Sequence, residues 1–470
     1  MHGEVKRYVY LITTITALGG FLFGFDTSVI ADIHQQASAQ LSLTPWQWSK
    51  IVSSSVLGCV LGIPLSGLFA DRVSRRLLLQ LVALGFILGT ALCAQAHGFT
   101  TLLCGRFLIG ICIGIASYIT PLFIAEVAPA SQRGRMVLIN GLALTFGQAA
   151  AYLIGYLLHD LWPFSWRLIL WLGALPALSL LIGMRYVPHS PRWLFKRFGE
   201  ESARRALQML RTSPEEIEAE LTEMRLCTHR THTKRLSLFK APVIYVLMAG
   251  IILGLFQQFS GINAILYYGP LIFTSAGFTP FKNALLATFC LGVVNFVFTA
   301  ITLFSVDRLG RRQMLLCGTV LAGVALLTTS LLFNAQFPGH KYCLLLAFAI
   351  YVMGYCISVG SLFWVIIAEI YPLAIRAQAM SIATVVQWSG NFLVAISFLG
   401  IYQQIGPSST MAIFGLLCLL AFAFCYRFIP ETAGVSLEHI ENNVFAGNAL
   451  RDLGQPFTKR AARLSREELL

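Results

Sequence analysis

Charge is scarce in this chain. Only 12% of its 470 residues are charged, 34 Lys or Arg against 21 Asp or Glu, while 57% are hydrophobic. An ordinary soluble domain carries about 25% charged residues, so this shortage excludes a soluble enzyme. Acceptor sites for N-linked sugar are missing, because no Asn has Ser or Thr two positions on. With short tails and short outer loops, that absence favours a bacterial inner membrane. Disulfide staples are not expected, although eleven cysteines are present. Cys59, Cys112, Cys290, Cys356 and Cys418 fall inside apolar segments and read as small packing residues, not bridges or metal ligands. Nor is a cleavable leader expected: the first apolar segment is too long, contains Asp26 and has no small-residue cleavage site after it.

What the chain has in abundance is long apolar runs. Stretches near the roughly 20 residues that a bilayer demands recur along almost its whole length. They lie near 8–31, 50–70, 77–96, 100–124, 138–158 and 167–187, and, after a polar gap, near 242–275, 284–305, 313–333, 343–370, 377–401 and 409–429. The expected fold is an all-α integral membrane protein of twelve transmembrane helices in two six-helix bundles. The expected divisions are 1–189, a cytoplasmic helical linker at 190–240, a second bundle at 241–430 and a cytoplasmic tail at 431–470. The net charge of +13 does not point to nucleic acid, because Lys and Arg gather in alternate loops. Arg72, Arg75 and Arg76 share one loop, Arg133 and Arg135 another, and Arg308, Arg311 and Arg312 a third; Lys282 and Lys341 are the exceptions. Both termini are therefore expected in the cytoplasm. Within the linker, Ser213, Pro214 and Glu216 form a helix-start signal.

A charged string occurs twice, as GLFADRVSRR at 67–76 and VDRLGRR at 306–312. Asp71 and Arg72 thus have counterparts in Asp307 and Arg308, 236 positions on. A second pair repeats beside it: Glu126 precedes Arg133 by seven residues, and Glu369 precedes Arg376 by the same seven, with an offset of 243. Matched offsets in so apolar a chain indicate an internally duplicated membrane protein, the layout of a transporter with two pseudo-symmetric bundles. Positive-inside topology does not need these carboxylates. Paired with neighbouring Arg, they read as a charge network that latches the inner helix ends.

Polar groups also lie at membrane depth. Asp26, in GGFLFGFDTSVI, is the one acid placed well inside the first span, and Arg106 is its natural partner. Gly20 and Gly24 offer a small-residue face for a neighbouring helix. The seventh span, GLFQQFSGINAILYYGP, carries Gln257, Gln258 and Asn263, and Gly261 and Pro270 mark it as a broken helix. Thr145, Gln148 and Tyr152 share one face of the fifth span; Asn295, Trp364, Gln387, Trp388 and Asn391 interrupt the eighth, tenth and eleventh. Amides complement a polyol by donating and accepting together, and an indole adds a flat apolar face. Simple interhelical bonding is the alternative, but a set spread over both halves reads better as a binding site.

These motifs together resemble the sugar porter family of the major facilitator superfamily, over nearly the full length. GGFLFGFDTSVI, GRFLIG (105–110), PLFIAEVAPASQRG (121–134), PHSPRWL (188–194), QQFSGINAILYY (257–268) and PETAGVSLEHIE (430–441) carry the resemblance in order. The resemblance implies a central pentose or hexose site and alternating inward and outward states, with no enzyme activity and no cofactor. It places sugar contacts at Gln148, Gln257, Gln258, Asn263, Asn295, Trp364 and Gln387, with Phe23, Tyr268 and Trp388 as accessory aromatics and Tyr267 with Tyr268 at an outer gate. Arg192, in the SPR motif, joins the gating network. An acid at Asp26 with Arg106 resembles the proton-coupled members, which implies symport of a monosaccharide with a proton, by a chain acting as a monomer. The rivals are a facilitative sugar uniporter and a transporter-like sugar sensor; the tail is short for the latter. Four positions depart from the family's pattern: His189 for Glu, Ser74 for Gly, Ala433 for Lys and Ser361 for Pro.

Overall fold

Helix accounts for almost everything in the computed structural model, which describes residues 2–70, 72–129, 132–229, 238–335, 337–372, 375–435 and 437–455. The first ten helices are α1 (His2–Gln40), α2 (Pro45–Ala70), α3 (Arg75–Ala94), α4 (Phe99–Val127), α5 (Arg133–Leu158), α6 (Ser165–Leu172), α7 (Ala174–Gly183), α8 (Pro191–Phe198), α9 (Glu200–Leu210) and α10 (Pro214–His229). They are followed by α11 (Val243–Phe259), α12 (Ile262–Ser275), α13 (Phe281–Leu309), α14 (Arg311–Phe333), α15 (His340–Tyr355), α16 (Ser361–Ile370), α17 (Arg376–Phe428) and α18 (Leu437–Phe445). Eleven stretches of the described residues are long and apolar enough to cross a membrane. The last runs from Gln378 to Phe428, 51 residues, and leaves helical geometry at Gly406 (φ 82°). At about 1.5 Å per residue it suffices for two crossings of a ~30 Å hydrocarbon core. Twelve crossings result. The protein is an integral, multi-pass membrane protein.

Two compact units are present. The first comprises residues 1–233 with 266–274 and 279–293; the second comprises 234–265, 275–278 and 294–470. In the first, α1 packs along α5 and α2 along α4. Glycine makes both approaches possible. A methyl group at Gly24 would overlap the Leu144 carbonyl of α5, and one at Gly110 would overlap the Ser55 carbonyl of α2. In the second unit α14 packs along α15 and α17, over a core that includes Leu253, Leu315, Leu362, Ile366 and Phe363.

Two spans are irregular. The seventh is split at Gly261 (φ 87°), between α11 and α12, while Pro270 sits inside α12 without breaking it. The tenth is split between α15 and α16 by a π-turn at Cys356–Gly360, where Ser358 leaves helical dihedrals. Ser361 follows that turn at once, so the irregularity sits where the family's proline is missing.

The helical insert of the first unit has its own small core of Ala203, Leu207, Ile217, Leu221 and Met224. Ser190 caps α8 by accepting from the Trp193 N–H, with Pro191 at the first helical position, and Ser213 accepts from the Glu215 N–H to start α10. Arg211 fastens the insert to α4. Its guanidinium is buried, grips both oxygens of Glu220 at 2.7 and 3.2 Å, and donates to the Val127 and Ala128 carbonyls at 2.9 and 3.1 Å. A cation at a helix C-terminus complements the exposed carbonyls there.

Glu200 clips α9 to α10. It accepts from Arg225 Nε at 2.7 Å and from Arg204 Nη2 at 3.1 Å. The bond from Arg225, aided by Arg204, lowers its carboxyl from 4.5 to about 2. A depressed folded-state pKa stabilises above the unfolded value and loses that contribution as pH falls through the folded one. Hydrogen exchange of the amides of α9 and α10 is therefore expected to accelerate as pH is lowered from about 4.5 towards 2, beyond the intrinsic pH trend. Glu200→Gln should remove that extra dependence; an unchanged profile would mean the clip holds nothing.

Candidate functional site

The acid in the first span is buried and paired. Arg106 Nη1 of α4 donates to Asp26 Oδ1, and Ser55 of α2 donates to Oδ2 at 3.2 Å. Asp26 is 3% exposed and Arg106 2%. Two opposite charges taken out of water together are tolerable; either alone is not. Sequence reasoning found the pair but not Ser55.

The amides of the seventh and eleventh spans meet inside the second unit. Gln387 Nε2 donates to Gln257 Oε1 at 2.9 Å, and Asn263 Nδ2 donates to Gln258 Oε1 at 2.6 Å. Gln257 Nε2 spends its hydrogens on the Val359 and Gly360 carbonyls, at 3.0 and 3.1 Å. Those carbonyls belong to the π-turn, whose irregular backbone leaves them in need of donors. The Gln387 Oε1 oxygen is buried and accepts nothing, which leaves an acceptor for an incoming hydroxyl. Asn295 Oδ1 accepts from the Thr299 hydroxyl at 3.2 Å and from the Cys356 thiol. Trp364 lies edge-on to Phe363 and is 42% exposed, whereas Trp388 is buried. Phe23, Gln148, Tyr267 and Tyr268 belong to the first unit, where Gln148 and both tyrosines are buried and Phe23 is half-buried. Above Gln148 on α5, Tyr152 donates to the Leu266 carbonyl at 2.7 Å.

The duplicated charges form one motif in each unit, with a partner different from the expected one. Glu126 bonds Arg75 Nη2 at 3.1 Å, and Glu369 bonds Arg311 Nη2 at 3.3 Å. The two arginines stand 236 positions apart and the two glutamates 243, so the duplication is realised as equivalent ion pairs. Each arginine also donates to the carbonyl five residues before it, Ala70 or Val306. Arg133 and Arg376, seven residues beyond the glutamates, are not those partners: Glu369 spends its other oxygen on the Thr432 hydroxyl at 2.5 Å, and Arg376 Nε donates to the Tyr371 carbonyl. The reason is geometric, since α4 and α16 end before those arginines, which open the next long helices, α5 and α17. Arg192 is held by Glu223 at 2.9 Å on an exposed face of the insert. Arg72 is exposed. Asp71 lies outside the described residues, as do the side chains of Asp307 and Arg308.

Other groups have partners that the sequence did not reveal. Glu431 caps α14, accepting from the Arg311 and Arg312 N–H groups at 2.9 and 3.1 Å. In the first repeat Ser74 does this work itself, by accepting from the Leu77 N–H. Ser74 has φ −64° where its counterpart Gly310 has φ 83°, so serine at 74 costs no strain and supplies a cap. Lys282, which falls outside the basic loops, pairs with Asp160 at 2.9 Å; that bond holds the Asp160 carboxyl below its usual range. His189 stacks on Trp193 with ring centroids 5.6 Å apart. Partial burial, with Arg76 nearby, lowers its pKa.

A family model described as sugar (and other) transporter matches residues 12–444. The chain belongs to the sugar porter family of the major facilitator superfamily. Bacillus subtilis has a probable metabolite transport protein, CsbC, 34% identical over 436 residues, covering 92% of this chain and 94% of that one. The galactose-proton symporter of Escherichia coli K12 is 32% identical over 453 residues, covering 96% and 97%. Among solved structures, the inward-open xylose transporter XylE from E. coli superposes with a TM-score of 0.81 at 30% identity, over 92% of this porter and 98% of XylE. This porter therefore has the major facilitator fold, moves sugar and is not an enzyme.

Proposed function

We propose that this porter takes up a monosaccharide, a pentose or a hexose, together with a proton. The observation that carries the reading is the buried Asp26–Arg106 pair. A facilitative carrier has no use for an acid and a base at membrane depth, where each must be held by the other. The relatives agree in kind: those from E. coli include a galactose-proton symporter and a D-xylose-proton symporter. When a proton neutralises Asp26, its bond to Arg106 weakens and the first unit can rearrange around α1, α2 and α4. Gln258, Asn263, Gln387 and Trp364 are our candidates for the sugar contacts of the second unit, with Gln148 and Tyr268 in the first. The basic loops support cytoplasmic termini, and the porter's bacterial relatives support a bacterial inner membrane. The Arg75–Glu126 and Arg311–Glu369 pairs are the gating charges in this reading, each tying two helix ends within its own unit.

Gln258→Ala and Trp364→Ala should each weaken sugar binding by about 2- to 13-fold, the worth of roughly 0.5–1.5 kcal/mol for a bond to a neutral ligand. Calorimetry with a panel of pentoses and hexoses measures it. Wild-type affinity in both variants would move the site elsewhere. Uptake of labelled sugar into proteoliposomes, with and without a proton gradient, tests the coupling; equal uptake in both would make the porter facilitative.

A further inference from the structure

The first span holds a second acid. α1 continues to Gln40, beyond the expected end at 31, and brings Asp32 inside with Asp26. Asp32 is 1% exposed and neither of its oxygens has a hydrogen-bond partner. It is seated against α5 at Gly155, where even a methyl group would collide with the carboxyl. Asp26, about 9 Å earlier along the axis, has an arginine and a serine to itself.

Among the described residues, the nearby charges are committed elsewhere. Arg106 of α4 is on Asp26; Arg167 of α6 donates to the Ala94 and Ala96 carbonyls; Lys50 of α2 is exposed and lies over Trp46. α5 offers Tyr152, whose hydroxyl is on the Leu266 carbonyl, and beyond its end His159, whose ring lies against Phe281, and Asp160, paired with Lys282. α7 presents no charge, and the arginines of α9 pair with Glu200, Glu201 and Glu218 inside the insert. His34, also on α1, is turned to Trp48. A carboxylate in such a place is shut away from bulk solvent and has no described cation to hold its charge.

Asp32 also belongs to a polar stripe. Ser28, Asp32, Gln36 and Gln40 recur every four residues, hence on one face of α1. Exposure rises along it, from buried Ser28 and Asp32 through half-buried Gln36 to exposed Gln40. Gln36 donates to the His159 carbonyl at 2.7 Å and accepts from the Trp166 N–H at 3.0 Å, and Gln40 accepts from the Trp166 indole at 2.6 Å. The stripe leads from the orphaned acid to the end of the helix.

We propose that Asp32 is a second proton-binding carboxyl of the transport cycle, loaded from the aqueous side at the end of α1. A proton from water joins one Oδ, which leaves a neutral acid that can stay buried; when the surroundings of α1 become hydrated, the same proton returns to water. The inference rests on the symport reading, and it adds a second proton to each sugar; Asp32 gives up its proton only in a cycle in which the Asp26–Arg106 pair opens and closes, so Asp26→Asn, whose pair is permanently released, leaves Asp32 protonated throughout.

Two measurements decide it. Infrared spectra of the purified porter at neutral pH should show the C=O stretch of a protonated carboxylic acid, present in Asp26→Asn and missing in Asp32→Asn. Proton and sugar fluxes measured in parallel in proteoliposomes should give one proton fewer per sugar for Asp32→Asn than for wild type. A band that persists in Asp32→Asn, or an unchanged ratio in a wild type that does couple, overturns the role of Asp32 alone. A wild type that moves no proton with sugar overturns symport and this role together. If Asp32→Asn does not fold, Asp26→Asn suffices, because Asp26 cannot contribute there: a protonated-carboxyl band that responds to sugar supports the proposal, and its absence overturns it.

Discussion

Asp26→Asn is expected to yield a porter that exchanges sugar across the membrane but cannot concentrate it. The amide is close in size to the protonated acid, so it mimics the loaded state permanently, and Ser55 keeps a partner at 3.2 Å. What it loses is the charge that held Arg106. Counterflow of labelled sugar should persist, while accumulation driven by a proton gradient falls to equilibrium and sugar-induced alkalinisation of a weakly buffered cell suspension disappears. Arg106→Ala should be worse for the fold, because breaking a buried pair from one side costs on the order of 3–5 kcal/mol. A variant Asp26→Asn that still concentrates sugar would assign the coupling to another acid.

The second large effect is structural. Gly24→Leu should abolish assembly of the first unit, because α1 and α5 touch backbone to backbone there and the Leu144 carbonyl cannot step aside. Overpacking a tight core costs about 1–3 kcal/mol when side chains yield, and more when only backbone can. Thermal unfolding of detergent-solubilised protein, read by size exclusion, should show a lost or broadened transition. Gly67→Leu is the control, since a Cβ at Gly67 would meet nothing within 4 Å and the variant should melt like wild type. A stable Gly24→Leu protein would mean that α1 and α5 can separate at little cost.

Much of this was legible in the sequence because membrane burial writes itself in long apolar runs, and because charge in such a solvent is too costly to be accidental. Asp26 and Arg106 could be paired by elimination: each was conspicuous, and little else nearby could satisfy either. The duplicated charge network was half legible. The offsets of 236 and 243 showed that two sites were equivalent, but not which arginine faced which glutamate. That depends on where α4 and α16 end, a matter of one helical turn. Asp32 was missed for a related reason, since hydropathy fades before the helix does and the first span seemed to close at residue 31. The π-turn at 356–360 left no sequence signal except a missing proline, and nothing in the sequence ties Arg211 to the carbonyls at the end of α4.

The amide of Gln257 is saturated by its own protein: two carbonyls of the irregular turn take its hydrogens and Gln387 takes its oxygen. A scan that replaces residues one at a time would therefore score position 257 as essential for the wrong reason. It behaves as a keystone: removing it leaves Val359 and Gly360 with bare carbonyls, and the tenth span must then straighten or hydrate. Straightening would turn the indole of Trp364, four residues on, through a different angle. Selectivity among sugars should thus respond to position 257 through the turn it holds, and be repaired by a compensating change at 358 or 361 rather than at 257.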